Sequence, residues 1–164
     1  MAAPNLVFNV SKVEVWNTDK SEYDDLGVTK GGATFSQSVN TLDVMDDQDS
    51  DAIASIVLEA PKVLKLNLLN ATPSNLALAF GGTVVGDVVS IPALVTGTTK
   101  KIKVTTRPVN GVKYEIEIKK GFITGESEIA LSNSDAVTLG LTVEVMASDD
   151  GKPVTIRKVQ ILGG

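Results

Sequence analysis

Neither cysteine nor histidine occurs anywhere in this chain of 164 residues. Without cysteine there is no disulfide and no thiolate nucleophile, which excludes a disulfide-stapled module. Without histidine the commonest general base and the usual zinc or copper ligand are missing. Aromatic residues make up only 4%, too few for the stacking platforms that grip single-stranded nucleic acid. Basic residues are outnumbered, 15 Lys and Arg against 20 Asp and Glu, a formal net charge of -5. An average surface of that sign repels a DNA duplex. No stretch approaches the roughly 18 apolar residues of a membrane-spanning helix. The opening "MAAPNLVFNV" lacks the basic n-region of a signal peptide. The expectation is a soluble intracellular product forming one domain over residues 1–164.

What is present is period-two alternation. "VTLGLTVEVM" places Val137, Leu139, Leu141, Val143 and Val145 on one face and polar or small residues on the other, the mark of a half-buried strand. "VTIRKVQIL" returns as the last strand. Its apolar parity changes from Val154 and Ile156 to Val159 and Ile161, which predicts a bulge or bend near Arg157 and Lys158. "KKIKVTTRPVNGVKYEIEIKK" reads as a hairpin. Pairing Val104 with Ile116 and Ile102 with Ile118 brings the apolar faces together and sets Lys103 opposite Glu117. That register calls for a three-residue loop, Val109-Asn110-Gly111, with Gly111 left-handed. In the early stretch Ala33, Phe35 and Val39 share one parity and Leu42 and Val44 the other, so a break or bulge is predicted at Asn40-Thr41. Leu64, Leu66 and Leu68 form one face of a further strand after Pro61.

One helix stands out. Thr72 suits an N-cap, Pro73 the first helical position and Gly81 the left-handed residue after the last turn. Apolar nearly all round and too short to stand alone, it must plug against a sheet. The predicted fold is therefore mainly β, a β-sandwich or barrel with one short packed α-helix at about residues 73–80.

Motifs that suggest chemistry do not survive inspection. In "DDQDSD" the carboxylates Asp47, Asp49 and Asp51 alternate like the first ligands of a calcium loop. The glycine expected next is Ala52, however, and the twelfth position is Leu58 rather than Glu. A solvated acidic loop is the better reading. "GGTVVGD" has phosphate-loop glycines, but Asp87 sits where lysine is required. The acid pairs Asp24-Asp25 and Glu126-Glu128 lack a histidine or a pocket signature, so they read as surface charges. No enzyme activity, metal or cofactor is expected.

Two stretches together resemble a known family. "DDLGVTKGGATFSQSVNTLDVMDDQ", a Leu-Gly-x-Thr-x-Gly-Gly sequence leading into a long strand pair, and "NATPSNLALAFGG", a Leu/Ala-rich helix closed by Gly81-Gly82, are similar to the N-terminal part and central helix of bacteriophage tail tube (major tail) proteins. The similarity covers roughly residues 6–85. It implies a structural protein of the virion tail, made in the host bacterial cytoplasm, whose copies form hexameric rings. The rings stack into a tube through which genomic DNA passes without specific binding. The partners implied are further copies of itself, the tape measure, the tail terminator and baseplate or tail-tip proteins, with no membrane. The loop that reaches a neighbour would span about Asn40 to Ala54, with Asn40, Thr41, Leu42, Asp43, Val44, Asp46, Asp47, Asp49, Asp51 and Ile53 as its contact residues. Leu42, Val44, Ile53 and Ile56 would pair as strands once a neighbour supplies an edge or a face. A type VI secretion or tailocin-like tube, and a soluble β-sandwich binding or decoration module, are the alternatives.

The acidic block generates a first test. Calcium should affect the chain no differently from sodium salt of equal ionic strength, because screening acts on charge alone. Isothermal titration at micromolar calcium is expected to give no saturable heat; a saturable signal would establish a metal site at Asp46–Asp51.

Overall fold

A computed structural model of the chain describes residues 10–45, 52–124, 126–131 and 137–162. The first strands are β1 (Val10–Asn17), β2 (Glu22–Asp25), β3 (Thr29–Gln37), β4 (Asn40–Met45), β5 (Ala52–Glu59) and β6 (Lys62–Leu68). The helix α1 (Pro73–Phe80) follows, then a small hairpin of β7 (Thr83–Val85) and β8 (Val88–Ser90). The chain closes with β9 (Thr98–Thr106), β10 (Val112–Ile123), β11 (Glu128–Ala130), β12 (Thr138–Val145) and β13 (Val154–Gln160). The fold is mainly β with one short helix, and all the described strand pairs are antiparallel.

The main sheet runs β2-β1-β9-β10-β12-β6-β3, with β11 added to β12 and β13 to β10. Strand β10 serves two neighbours along one edge. Its first half pairs with β13 from Val112 to Ile118, and its last residues, Gly121 to Ile123, pair with β12. Between those halves its pairing with β9 shifts register, between Ile118 and Gly121. A strand with an extra residue bends there. The sheet consequently curls, and the inward residues of β1, β9 and β10 (Val13, Val15, Ile102, Val104, Ile118) join those of β6 and β12 (Leu64, Leu66, Leu68, Leu139, Leu141, Val143) in one buried cluster. Gly121 sits where the halves come closest: a Cβ there would lie 2.6 Å from Val143 Cγ1 and 3.1 Å from Ile102 Cδ1.

The helix is where the sequence places it. Thr72 Oγ1 accepts from Asn75 N at 3.3 Å, Gly81 adopts φ 71, and its backbone N–H donates to the Ala77 carbonyl. Ala79 is buried, with Leu76, Leu78 and Phe80 packed against the core. Asn75, not anticipated as a buried residue, donates through Nδ2 to the carbonyls of Leu26 and Asn70, both at 2.9 Å, which ties the first helical turn to the loop after β2. A buried amide satisfied in this way is inexpensive; left unpaired it would not be.

The β9–β10 register is as predicted, with Val104 opposite Ile116, Ile102 opposite Ile118 and Lys103 opposite Glu117. The loop differs. Asn110 (φ 51) and Gly111 (φ 74) form a two-residue turn closed by paired backbone hydrogen bonds between Val109 and Val112. The extra residue lies instead before Val109, beside Pro108, which has no N–H to give a ladder. There Tyr114 N donates to Thr106 Oγ1 at 2.9 Å. The early break falls at Ser38-Val39, and the predicted irregularity at Asn40-Thr41 is present as a register shift between β4 and β5. The bulge expected near Arg157 and Lys158 is absent: β13 pairs with β10 without interruption from Val154 to Gln160. Its two faces are both largely exposed, so no burial forces one parity, and Val159 simply lies on the face opposite Val154 and Ile156.

The helix ends provide a test in thermal melts. Thr72→Ala should cost about 1 kcal/mol. Gly81→Val should cost about 1–3 kcal/mol, because a β-branched residue is forced to positive φ and its Cβ would meet Val95 Cγ1 at 2.7 Å. Unchanged stability in the Gly81 variant would contradict this account of the helix end.

Candidate assembly surface

Strands β3 and β6 pair with each other in the main sheet, then leave it together as β4 and β5. The break is narrow, two residues on each side, and Ser38 N donates to the Pro61 carbonyl at 3.1 Å across it. Beyond it β4 and β5 form their own two-stranded ribbon. Leu42 opposes Ile56 and Val44 opposes Ala54, while Thr41 opposes Val57 and Asp43 opposes Ser55. Directly opposed residues share a face. One face of this arm is therefore apolar, built from Leu42, Val44, Ala54, Ile56 and, by alternation, Leu58. The other is mixed, carrying Thr41 and the hydrogen-bonded Ser55–Asp43 pair together with the apolar Val57 and, by alternation, Ile53. Leu42, Val44, Ile53, Ile56, Val57 and Leu58 all remain exposed.

Of the contact residues named from the sequence, Asn40, Thr41, Leu42, Asp43 and Val44 lie on β4 and Ile53 on β5. The strand pairing expected from a neighbour is made within the chain, β4 with β5, and Asn40 Nδ2 donates to Glu59 across the base. Asp46, Asp47, Asp49 and Asp51 lie outside the described residues. Among the described residues no group of three or more acidic side chains is arranged to hold a metal ion. Asp24 accepts from Asn17 Nδ2 at 2.7 Å and pairs with Lys20, and these contacts hold its carboxyl below the ordinary range. Asp25 accepts from Gly27 N at 2.8 Å.

The outward face of β1, β9, β10 and β13 is an ion ladder, of which the sequence disclosed only that Lys103 lies opposite Glu117. Glu14 is nearly buried between Lys12 Nζ at 2.8 Å and Lys103 Nζ at 3.3 Å. Lys101 reaches Glu117 at 3.5 Å, and Glu115 is held by Arg157 and, at 3.7 Å, by Lys113. Lys103 also lies 4.3 Å from the centre of the Tyr23 ring, which meets Trp16 edge to face. Burial pushes the Glu14 carboxyl up, but hydrogen bonds and charge from Lys12 and Lys103 outweigh it and leave the carboxyl below its usual range. The Arg157 guanidinium holds Glu115 low in the same way.

A sequence model of the phage tail tube protein family matches residues 2–156. The chain belongs to the phage tail tube protein family. It is a structural protein of the virion tail, not an enzyme. No curated protein sequence matches it. Two solved assemblies contain chains of similar fold. One, in the virion of a native gene transfer agent particle, aligns with a TM-score of 0.50 and 9% identity over 88% of this chain and 95% of that one. Another, in the six-fold-symmetrised baseplate of the anti-feeding prophage, aligns with a TM-score of 0.53 and 11% identity over 98% and 99%. In this tail tube protein Asn40, Thr41, Leu42, Asp43, Val44 and Ile53 sit on an exposed ribbon.

Glu14 makes the ladder testable by pH. Lys103→Met should lower stability by about 1–2 kcal/mol at neutral pH, since a largely buried carboxylate loses one of its two cations. A depressed carboxyl pKa contributes stability that is present above the unfolded value, about 4.3, and lost as pH falls through the folded value. Denaturant melts should therefore show the variant and wild type converging below about pH 4. A difference that persists unchanged at pH 3 would assign the effect to packing instead.

Proposed function

We propose that the chain assembles into six-membered rings that stack as the tail tube and conduct the phage genome during delivery. The observation that carries this reading is the β4–β5 arm, a two-stranded ribbon with one wholly apolar face, Leu42, Val44, Ala54, Ile56 and Leu58, that stays open to solvent in the single chain. A sheet with one apolar face needs a second layer, and an exposed apolar patch of this kind marks an interface. In a subunit of a repeating assembly the second layer is another copy. The stretch from about Asn40 to Ala54, with the acidic block Asp46 to Asp51, is then the inter-subunit loop. The six-fold symmetry stated for the anti-feeding prophage baseplate supports the ring number. Tape measure, tail terminator and baseplate or tail-tip proteins are the further partners this role requires.

The conduit part of the reading rests on charge. A tube should not hold its cargo, because every phosphate contact slows transit. The net charge of -5 opposes adhesion of DNA, and the cations of the ladder are already engaged by Glu14, Glu115 and Glu117. Genomic DNA passes without a specific site.

Negative-stain micrographs of the purified chain at increasing concentration test the proposal. Rings of six, or tubes built from them, are the expected result. A chain that stays monomeric at every concentration would favour a soluble binding or decoration module.

A further inference from the structure

The curled sheet does not close on itself completely. Among the described residues β1 and β3 approach each other without pairing, and β13 is joined to β10 alone. Between these strands lies a cavity of about 340 Å³ that reaches down to Leu64 and Val104 of the buried core. Ala33, Phe35 and Ile116 wall it, and Ile156, 59% exposed, stands at its rim. None of its lining residues is charged. The hydroxyl of Thr106, on one of its two polar side chains, accepts from Tyr114 N at 2.9 Å. A small ligand needs a few placed polar groups to fix its orientation; this cavity calls instead for an apolar side chain.

Position singles out one stretch of chain to supply it. Val10, the first residue of β1, itself lines the cavity, and it pairs with Thr106, the last residue of β9. Residues 1–9 lie outside the described residues and enter the fold at the cavity's own edge. Two positions beyond Thr106 comes Pro108, which has no N–H to give a ladder. Strand β9 therefore offers the chain before Val10 no continuing path along the sheet, while the cavity beside it is open.

Chemistry singles out the same stretch. Of the sequence outside the described residues, 46–51 is mostly aspartate, 132–136 reads "SNSDA", and 125, 163 and 164 are glycines. Only residues 1–9 bring large apolar side chains, in "NLVFN". In an extended chain Leu6, Phe8 and Val10 share one side and Val7 the other. Phe8 is two residues from Val10, within about 7 Å along the backbone. Leu131 and Leu162, the described residues next to other such segments, are 78% and 91% exposed and fill nothing.

We propose that the segment before Val10 plugs this cavity within its own chain, with Phe8 filling it and Leu6 covering its rim at Ile156. The plug completes the core between β1, β3 and β13, and Phe35 and Ile116 gain an apolar neighbour where they now meet solvent. It concerns a single subunit and does not depend on how subunits assemble.

Parity and cross-linking test the plug, both in dilute solution where the chain is monomeric. Phe8→Ala should lower the melting temperature by about 5 °C, Phe8→Leu by less, and Val7→Ala should leave it unchanged. Equal melting of Phe8→Ala and the wild type would overturn the proposal, as would equal losses in Phe8→Ala and Val7→Ala. Because the chain has no cysteine, introduced pairs report without background. Phe8→Cys is combined with Ile156→Cys and, separately, with Ala33→Cys, and each double variant is oxidised after circular dichroism has shown it folded. A disulfide within one chain is expected in at least one of them, read as a monomer mass with no thiol left to alkylate. Should Ala33→Cys fail to fold, the exposed Ile156 site still carries the test. Disulfides only between chains would give the cavity to a neighbour's N-terminal segment and overturn the seat within the chain. No disulfide in any folded double variant would overturn it as well.

Discussion

The curl of the main sheet depends on β10 passing between its two halves. One strand carries β13 on its first half and β12 on its end, and the register shift before Gly121 turns it from one to the other. Only a residue without a side chain fits between Val143 and Ile102 at that bend. With the halves so close, the leucines of β6 and the alternating residues of β9 and β12 share one core, and both outward faces are left free for polar chemistry. The helix packs against this core, and the arm extends from the main sheet as the continuation of β3 and β6.

How much of this was legible follows from how local each signal is. The helix was readable to the residue because capping acts within a few positions: Thr72, Pro73 and Gly81 each have a backbone reason to be where they are. The β9–β10 register was readable because only one alignment puts Val104 and Ile102 against apolar partners. The turn inside that register was not, since an extra residue beside Pro108 and a two-residue turn give the same pairing as a three-residue loop. In β13 the parity change of Val159 suggests a bulge, an argument that holds only where burial enforces one face. The ladder around Glu14 joins residues some ninety positions apart in sequence, as with Lys103, and no local pattern announces it. Asn75 was hidden for the same reason, its partner Leu26 being distant in the chain.

The candidate site shows the same division. The apolar character of Leu42, Val44 and Ile56 is visible in the sequence. That β4 and β5 pair with each other, and so expose one wholly apolar face, required the register. The glycines of the β7–β8 hairpin suggest a phosphate loop that Asp87 rules out, and which of its residues stay uncovered is a property of the folded chain.

The narrow junction between body and arm has a mechanical consequence. Strand β3 runs into β4 and β5 into β6 through two residues each, and the Ser38–Pro61 hydrogen bond braces the gap. A pull on the arm is thus delivered along β6, whose Leu64, Leu66 and Leu68 are anchored in the middle of the core between β3 and β12. Force does not stop at a compliant loop; it loads many buried side chains in parallel. In the stack proposed above, such subunits would resist stretching and bending with the stiffness of their protein interiors, so strain in one part would be passed to the next instead of being absorbed where it arises.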